Sequence, residues 1–291
     1  MNLDHGNNLR LDTMSVIREL IASRNILANL TLRDIRGKYR RTVLGQLWSL
    51  ANPLAAMLIY TFVFSFILRL EPDHGSPSGL NVFALWLLCG LLPWTFVSNV
   101  INQGIASIVG NANLIQKVYF PRIVLPIAAV GASGFSWLFE MGVLVIALSV
   151  VGAFVLPWIP LLLLMMVILA IFATGIALML ATANVYFRDT EYFVTIMLQI
   201  WMYLTPIIYP ISLMKDASAG QGGLFGTQVT VLDIYLLNPM VHFVDVFRQL
   251  LYDNRWPEQT DVVVCVGWSV ASFGVGLLIF RRHEKKLAEL L

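Results

Sequence analysis

The sequence predicts an all-α polytopic membrane protein with six transmembrane helices, and three observations carry that class. Long stretches hold no charged side chain: between Arg41 and Arg69, then Leu80 to Gln116, Ile123 to Phe139, Met141 to Phe187, Tyr192 to Met214 and Val262 to Phe280. The composition is 58% hydrophobic and 12% charged over 291 residues, where a soluble domain holds about 25% charge. The cations are also segregated along the chain, which sets an orientation. A hydrocarbon core about 30 Å thick takes roughly 20 apolar residues of helix to cross. Six spans fit, at about 49–68, 81–106, 123–149, 158–181, 192–210 and 262–280.

The first 48 residues are polar or mixed. They lack the early apolar core of a cleavable signal, so the first span is expected to act as its own insertion signal. Within them, Thr31 to Leu44 alternates in a helical sense, with Leu32, Ile35, Tyr39 and Val43 on one stripe and Arg33, Arg36, Arg40 and Arg41 opposite. Thr31 suits an N-cap and Asp34 the first turn. Two readings stand: a basic flank before a span, or a helix lying flat on the cytoplasmic leaflet that also docks a partner. The stripe lasts three turns, which a flank does not require.

Span 1 opens on Trp48 to Pro53, where Asn52 and Pro53 read as a helix start or a kink. The loop from Glu71 to Gly79 is an ordinary Pro/Gly/Ser turn. In span 2, Gly90 and Pro93 allow a bend that serves packing as readily as mechanism. The connection Gly110 to Arg122 predicts a seven- to ten-residue amphipathic helix, capped by Asn111 or Asn113 and ended by Pro121, with Leu114, Ile115 and Val118 as its apolar patch. That is the size of a helix that seats in a partner's groove, and a plain turning loop is the alternative. Glu140 is the one carboxylate inside a predicted span. Lipid burial would cost several kcal/mol, so it faces helices, water or a subunit interface, paired with a group such as Ser136 or Trp137.

The tight connection Asn184 to Tyr192, with Arg188 and Asp189, suits a second partner contact. Pro206 and Pro210 break helical continuity at the end of span 5. Beyond it, residues 211–259 hold a Gly-rich turn, an apolar run to Leu237, then Asn238 as cap with Pro239 at the first helical position. Neither apolar piece is long enough to cross. Short helices about an Asn-Pro turn predict a re-entrant hairpin in the outer leaflet, or a pair lying on the surface.

With the N-terminus inside, fifteen Lys and Arg are cytoplasmic, and four, Arg69, Lys215, Arg248 and Arg255, are outside. Both termini are then cytoplasmic. No nucleic-acid-binding pattern accompanies the cations. Four scattered His and two distant Cys offer no metal-ligand spacing, and Cys89 and Cys265 read as small buried hydrophobes. No phosphate-binding loop, Rossmann fingerprint or nucleophile–base pair is visible, so nothing suggests that this chain breaks covalent bonds, and any ATP-driven work would need another chain to hydrolyse the nucleotide.

The run Leu32 to Pro53 resembles the entry signature of the ABC-2 type permeases that export polysaccharides and teichoic acids. Leu92-Pro93-Trp94, Asn113 to Arg122, Asn184 to Asp189 and Leu237-Asn238-Pro239 match further family patterns in order. The resemblance covers roughly 25–285. It implies the six-span ABC-2 permease fold, with a cytoplasmic segment 1–48 carrying the amphipathic interface helix. A transmembrane domain at 49–281 follows, with a coupling helix at about 111–119 and re-entrant helices at about 222–251, and then a tail at 282–291.

It implies a homodimer in the bacterial cytoplasmic membrane, paired with two copies of an ATPase that holds ATP and Mg, while this chain binds no cofactor. The substrate class is a lipid-linked glycan or teichoic acid polymer, and drug or small-lipid export on the same scaffold is the alternative. Asn111, Leu114, Ile115, Lys117, Val118, Tyr119, Arg188 and Asp189 are then expected at the ATPase, and Arg36, Lys38, Arg40, Arg41 and Arg122 at a diphosphate or anionic headgroups. Sugars stack on aromatic faces, so Tyr60, Phe62, Phe66, Trp94, Phe96, Trp201 and Tyr203, with Glu140, form the pool from which a translocation path would be lined. Each also fits ordinary packing.

Overall fold

The computed structural model describes residues 13–40, 42–69, 74–221 and 230–287. Arg41, the chain start 1–12, the tail 288–291 and the 222–229 part of the expected re-entrant region lie outside the described residues. Among the described residues the regular elements are all helical: α1 (Thr13–Ala22), α2 (Arg24–Tyr39), α3 (Trp48–Tyr60), α4 (Phe83–Val109), α5 (Ala112–Lys117), α6 (Val124–Val150), α7 (Ile159–Tyr186), α8 (Thr190–Tyr203), α9 (Ile211–Gln221), α10 (Val231–Tyr235), α11 (Pro239–Arg248) and α12 (Gln259–Leu287).

Among the described residues, five stretches are long and apolar enough to cross a membrane: Gly45–Ile67, Phe83–Val109, Val124–Val150, Leu156–Tyr186 and Gln259–Glu284. The chain is a multi-pass membrane protein. The span expected at 192–210 differs. Its helix, α8, has 14 residues and stops at Tyr203, about 21 Å at 1.5 Å per residue and short of the hydrocarbon core. Pro206 cannot donate to the helical ladder, so the chain unwinds over Leu204 to Pro210.

The hub of the bundle is α4, buried over most of its length and in contact with α3, α6, α7, α8 and α11. It continues unbroken through Pro93. Small residues set the closest approaches. A Cβ on Gly104 would come 2.6 Å from the Ala177 Cβ of α7, and a Cβ on Gly175 of α7 or Gly276 of α12 would overlap the other helix's backbone. Ser269 and Ser272 of α12 donate to the Ile168 and Phe172 carbonyls of α7, each at 2.9 Å. Packing and interhelical hydrogen bonds of this kind hold helices together where lipid removes the hydrophobic drive. By contrast, only 6% of the apolar window of the first span is buried. It stands at the edge of the bundle.

α2 departs from the expected 31–44 helix. It starts at Arg24 and ends at Tyr39, with Arg40 already extended at ψ 131°, so Thr31 lies inside the helix and caps nothing. Its buried contact is Leu30, packed with Phe120, Val124, Leu125 and Ala128, while Thr31 rests on Gly131. Leu32 and Val43 of the expected apolar stripe are exposed. Ala128 and Gly131 give α6 a flat strip, and α2 runs along it.

Candidate functional site

The end of the bundle that carries α5, Arg122 and Arg281 is termed the basic end, and the opposite end the distal end. At the basic end α5 is a six-residue turn, shorter than the spacing suggests. Asn111 occupies its N-cap position, but the side chain does not cap. Its amide donates to the Ser107 carbonyl at 2.7 Å, and its oxygen accepts from the Arg33 guanidinium of α2 at 2.9 Å. The turn is thereby tied to the preceding helix and to α2.

The expected partner-facing residues divide. Leu114 and Ile115 are half-buried against the chain's own Leu30 and Phe120 cluster. Lys117, Val118 and Tyr119 are exposed, Tyr119 at 99%. Arg188 and Asp189 are exposed as well, beside the exposed Tyr186 and Phe187. Of the expected headgroup residues, Arg36, Lys38 and Arg40 are exposed. Arg122 is half-buried and donates to the Glu284 carbonyl at the end of α12. Nearby, Arg281 bridges Glu284 and Glu19 of α1.

Glu140 is 4% exposed. Its electrostatic partners are Lys38 and the Ser49 hydroxyl. Trp137 is not one of them: its indole Nε1 has no hydrogen-bond partner among the described residues, and its ring stacks on Phe96 at 4.0 Å and 12°. The N-terminal segment reaches this far along α6, which sequence spacing could not show.

The aromatic pool also divides. Phe62 and Phe66 stack on each other at 5.5 Å on the open side of the first span, and Tyr203 is half exposed at the end of α8. Tyr60 is half-buried beside them. Trp94 and Phe96 are core residues at 4% and 1% exposure. Trp201 meets Trp94 edge-on at 5.5 Å and donates to Asn238 Oδ1 at 2.8 Å.

That last bond belongs to a clamp at the distal end, where the unwound end of α8 is held by the α10–α11 turn. Asn238 caps α11 by accepting from the Met240 amide at 3.0 Å, with Pro239 at the first helical position as expected. Its Nδ2 donates to the Leu204 carbonyl and to Thr205 Oγ1. Arg248, 6% exposed, donates to the Pro206 and Ile207 carbonyls at 2.6 and 2.8 Å and lies 3.5 Å over the Trp86 ring. Gly90 makes room, since a Cβ there would sit 3.1 Å from the Arg248 Nη2. A broken helix in an apolar setting must have its carbonyls satisfied, and these two side chains do so. Sequence reading missed Arg248, which counted only as a charge. The paired prolines at 206 and 210 signalled that some donor was needed, without saying which.

α8 itself has only Val194 and Leu198 buried. Tyr192, Thr195, Gln199 and Tyr203 follow one another at helical spacing and are all exposed. Gln199 is the single amide side chain in the charge-free stretch from Tyr192 to Met214, a signal that was available and unused. Among the described residues no three His, Cys, Asp or Glu side chains come together as metal ligands.

The ABC-2 type transporter family model matches residues 27–252. The chain belongs to that family. As an ABC-2 permease it is 27% identical to the O-antigen export system permease protein RfbA of Myxococcus xanthus, over 94% of this chain and 98% of the relative. It is 28% identical to the protein of the same name from Klebsiella pneumoniae, over 92% and 95%. It is 25% identical to the polysialic acid transport protein KpsM of Escherichia coli, over 89% and 93%. This ABC-2 permease is therefore a membrane transport subunit related to proteins named for O-antigen export, polysialic acid transport and capsule polysaccharide export. The resemblance seen in its motifs holds along nearly the whole chain.

Proposed function

We propose that this ABC-2 permease is the membrane-spanning half of an ATP-driven exporter that moves a lipid-linked cell-surface polysaccharide across the bacterial cytoplasmic membrane. It works as a homodimer with two copies of a cytoplasmic ATPase, which holds ATP and Mg. The observation that carries the reading is the open face of α8. Along the exposed stripe of Tyr192, Thr195, Gln199 and Tyr203, Thr195 is satisfied by the Glu191 carbonyl at 2.8 Å, but the Gln199 amide has no such bond to a described residue, and an unpaired amide in hydrocarbon costs several kcal/mol. It needs a water-filled path or a second copy, and a glycan path between two protomers supplies both.

In this reading the six spans are the five long helices and the short α8, completed by its unwound end. The basic end is cytoplasmic, with both termini there. The α10–α11 pair is re-entrant from the outer side, and 1–48, 49–281 and 282–291 are the cytoplasmic segment, transmembrane domain and tail. Residues 111–119, with Arg188 and Asp189, face the ATPase. Arg36, Lys38, Arg40 and Arg41 attract the diphosphate of the lipid carrier, while Phe62, Phe66, Tyr203 and Gln199 face the glycan. A teichoic acid polymer is the variant of this substrate class. Both kinds of relative, O-antigen permeases and KpsM, are named for glycan transport, which favours it over drug or small-lipid export.

The test is a deletion strain complemented with Gln199→Leu. Surface polymer should vanish on deletion and return with the wild-type chain only beside an intact ATPase. With Gln199→Leu it should return at a rate reduced about tenfold, with ATPase association unchanged. Full export in liposomes without any ATPase would sink the proposal.

A further inference from the structure

At the distal end, a cavity of about 360 Å³ opens between α9, α11, the start of α4 and the 253–258 turn. Ligand pockets run from about 300 to 1,000 Å³, so this one suits a single small unit. Its charged lining is balanced: Lys215, Arg248 and Arg255 face Asp245, Asp253 and Glu258. Most of these are already engaged. Arg248 holds the Pro206 and Ile207 carbonyls, and Arg255 pairs with Asp253 at 3.1 Å and Glu258 at 4.0 Å. Two are not. Asp245 of α11 is half-buried and Lys215 of α9 is exposed; neither has a hydrogen bond or ion pair to a described residue, although Arg248 first and Lys215 after it act on the Asp245 carboxylate through space.

That leaves Asp245 as an acceptor and Lys215 as a donor, with His74 and Ser76 also on the wall, facing a polar space whose formal charges cancel when His74 is neutral. A phosphate would meet three carboxylates there, and a divalent cation would meet three cations. A neutral polyol meets neither penalty, since its hydroxyls can donate to a carboxylate and accept from an ammonium in the same ring.

We infer that this cavity is a binding subsite for a neutral sugar residue of the exported chain, recognised by Asp245 and Lys215 as the chain emerges. The inference rests on the transport reading and adds a named site to it. The site is distinct from the open face of α8 and from the α5 surface.

The experiment uses the full-length permease with its ATPase in nanodiscs. The probe is a set of oligosaccharides cut from the producing cell's own surface polymer, followed by saturation-transfer NMR. The wild type should bind saturably, and Asp245→Asn and Lys215→Gln should each weaken binding at least tenfold without lowering the melting temperature. Lys215 is exposed, so its variant keeps a folded reference if Asp245→Asn does not fold. Inorganic phosphate and calcium chloride are run in parallel. Displacement of the oligosaccharides by either ion, binding unchanged in Lys215→Gln, or no binding by the wild type would overturn the inference. If the wild type exports polymer but binds none here, the subsite alone falls. If the wild type exports none, the transport reading falls too.

Discussion

His242 shows how much one side chain can carry at the distal end. Its Nδ1 meets Asp261 Oδ1 at 2.7 Å and its Nε2 meets the Leu236 carbonyl at 2.8 Å. A carbonyl only accepts, so the ring that satisfies both partners is the imidazolium beside a carboxylate. The Asp261 hydrogen bond holds the His242 pKa above its ordinary value of 6.5, against burial, which pulls it down; Asp245 also faces it. A raised folded pKa means the contribution is fully present below about pH 6.5 and is lost as pH rises through the folded value. The purified protein should therefore melt at a lower temperature at pH 9 than at pH 6. His242→Gln should flatten that difference, and an unchanged pH dependence in the variant would refute the assignment. Arg248 makes a second residue-scale case. Arg248→Met leaves the Pro206 and Ile207 carbonyls without their donor, at a cost of about 1–3 kcal/mol. Faster hydrogen exchange over 204–210 should report it. Arg248→Lys should recover only part, because the ammonium keeps the charge and donors but lacks the planar guanidinium that reaches both carbonyls while lying over Trp86.

At the scale of elements, α5 shows where periodicity stops being informative. Spacing identified a short helix with an apolar patch, and the helix is there, but its two most apolar residues face inward. A charge at Leu114 or Ile115 would disturb the chain's own packing before it touched a partner. The informative change is at Val118 and Tyr119, which are 48% and 99% exposed. Val118→Asp with Tyr119→Asp should leave expression and dimerisation intact and reduce ATPase co-purification at least tenfold. Unaltered co-purification and export would mean that this surface is only a turn. α8 illustrates the opposite situation. Its two prolines marked the break in the sequence, yet where the helix stops depends on Asn238 and Arg248, which lie more than thirty residues further along.

For the whole molecule, charge segregation argues both topology and substrate attraction from the same residues. Arg36, Lys38 and Arg40 are exposed on α2 or just beyond it. Each exposed cation near an anionic surface is worth about 1 kcal/mol, so single changes should be mild. Arg36→Gln, Lys38→Gln and Arg40→Gln together should reduce export severely while cysteine accessibility still places the N-terminus inside. An inverted protein would attribute the loss to topology instead. The length and apolarity of the long helices, the Asn238 cap and the polar poverty of the spans were all legible in the chain, because they depend on local composition and on backbone groups a few residues apart. The path of α2 along α6, the tie from Arg33 to Asn111, the Lys38 and Ser49 environment of Glu140 and the Arg248 clamp were not. Each joins residues 40 or more positions apart. No periodicity encodes which distant groove has the Gly131 or Gly90 that lets a particular side chain in. Local chemistry thus determined that this is a bundle of membrane helices with one broken member, and only tertiary packing decided which side chains mend the break and which faces stay open.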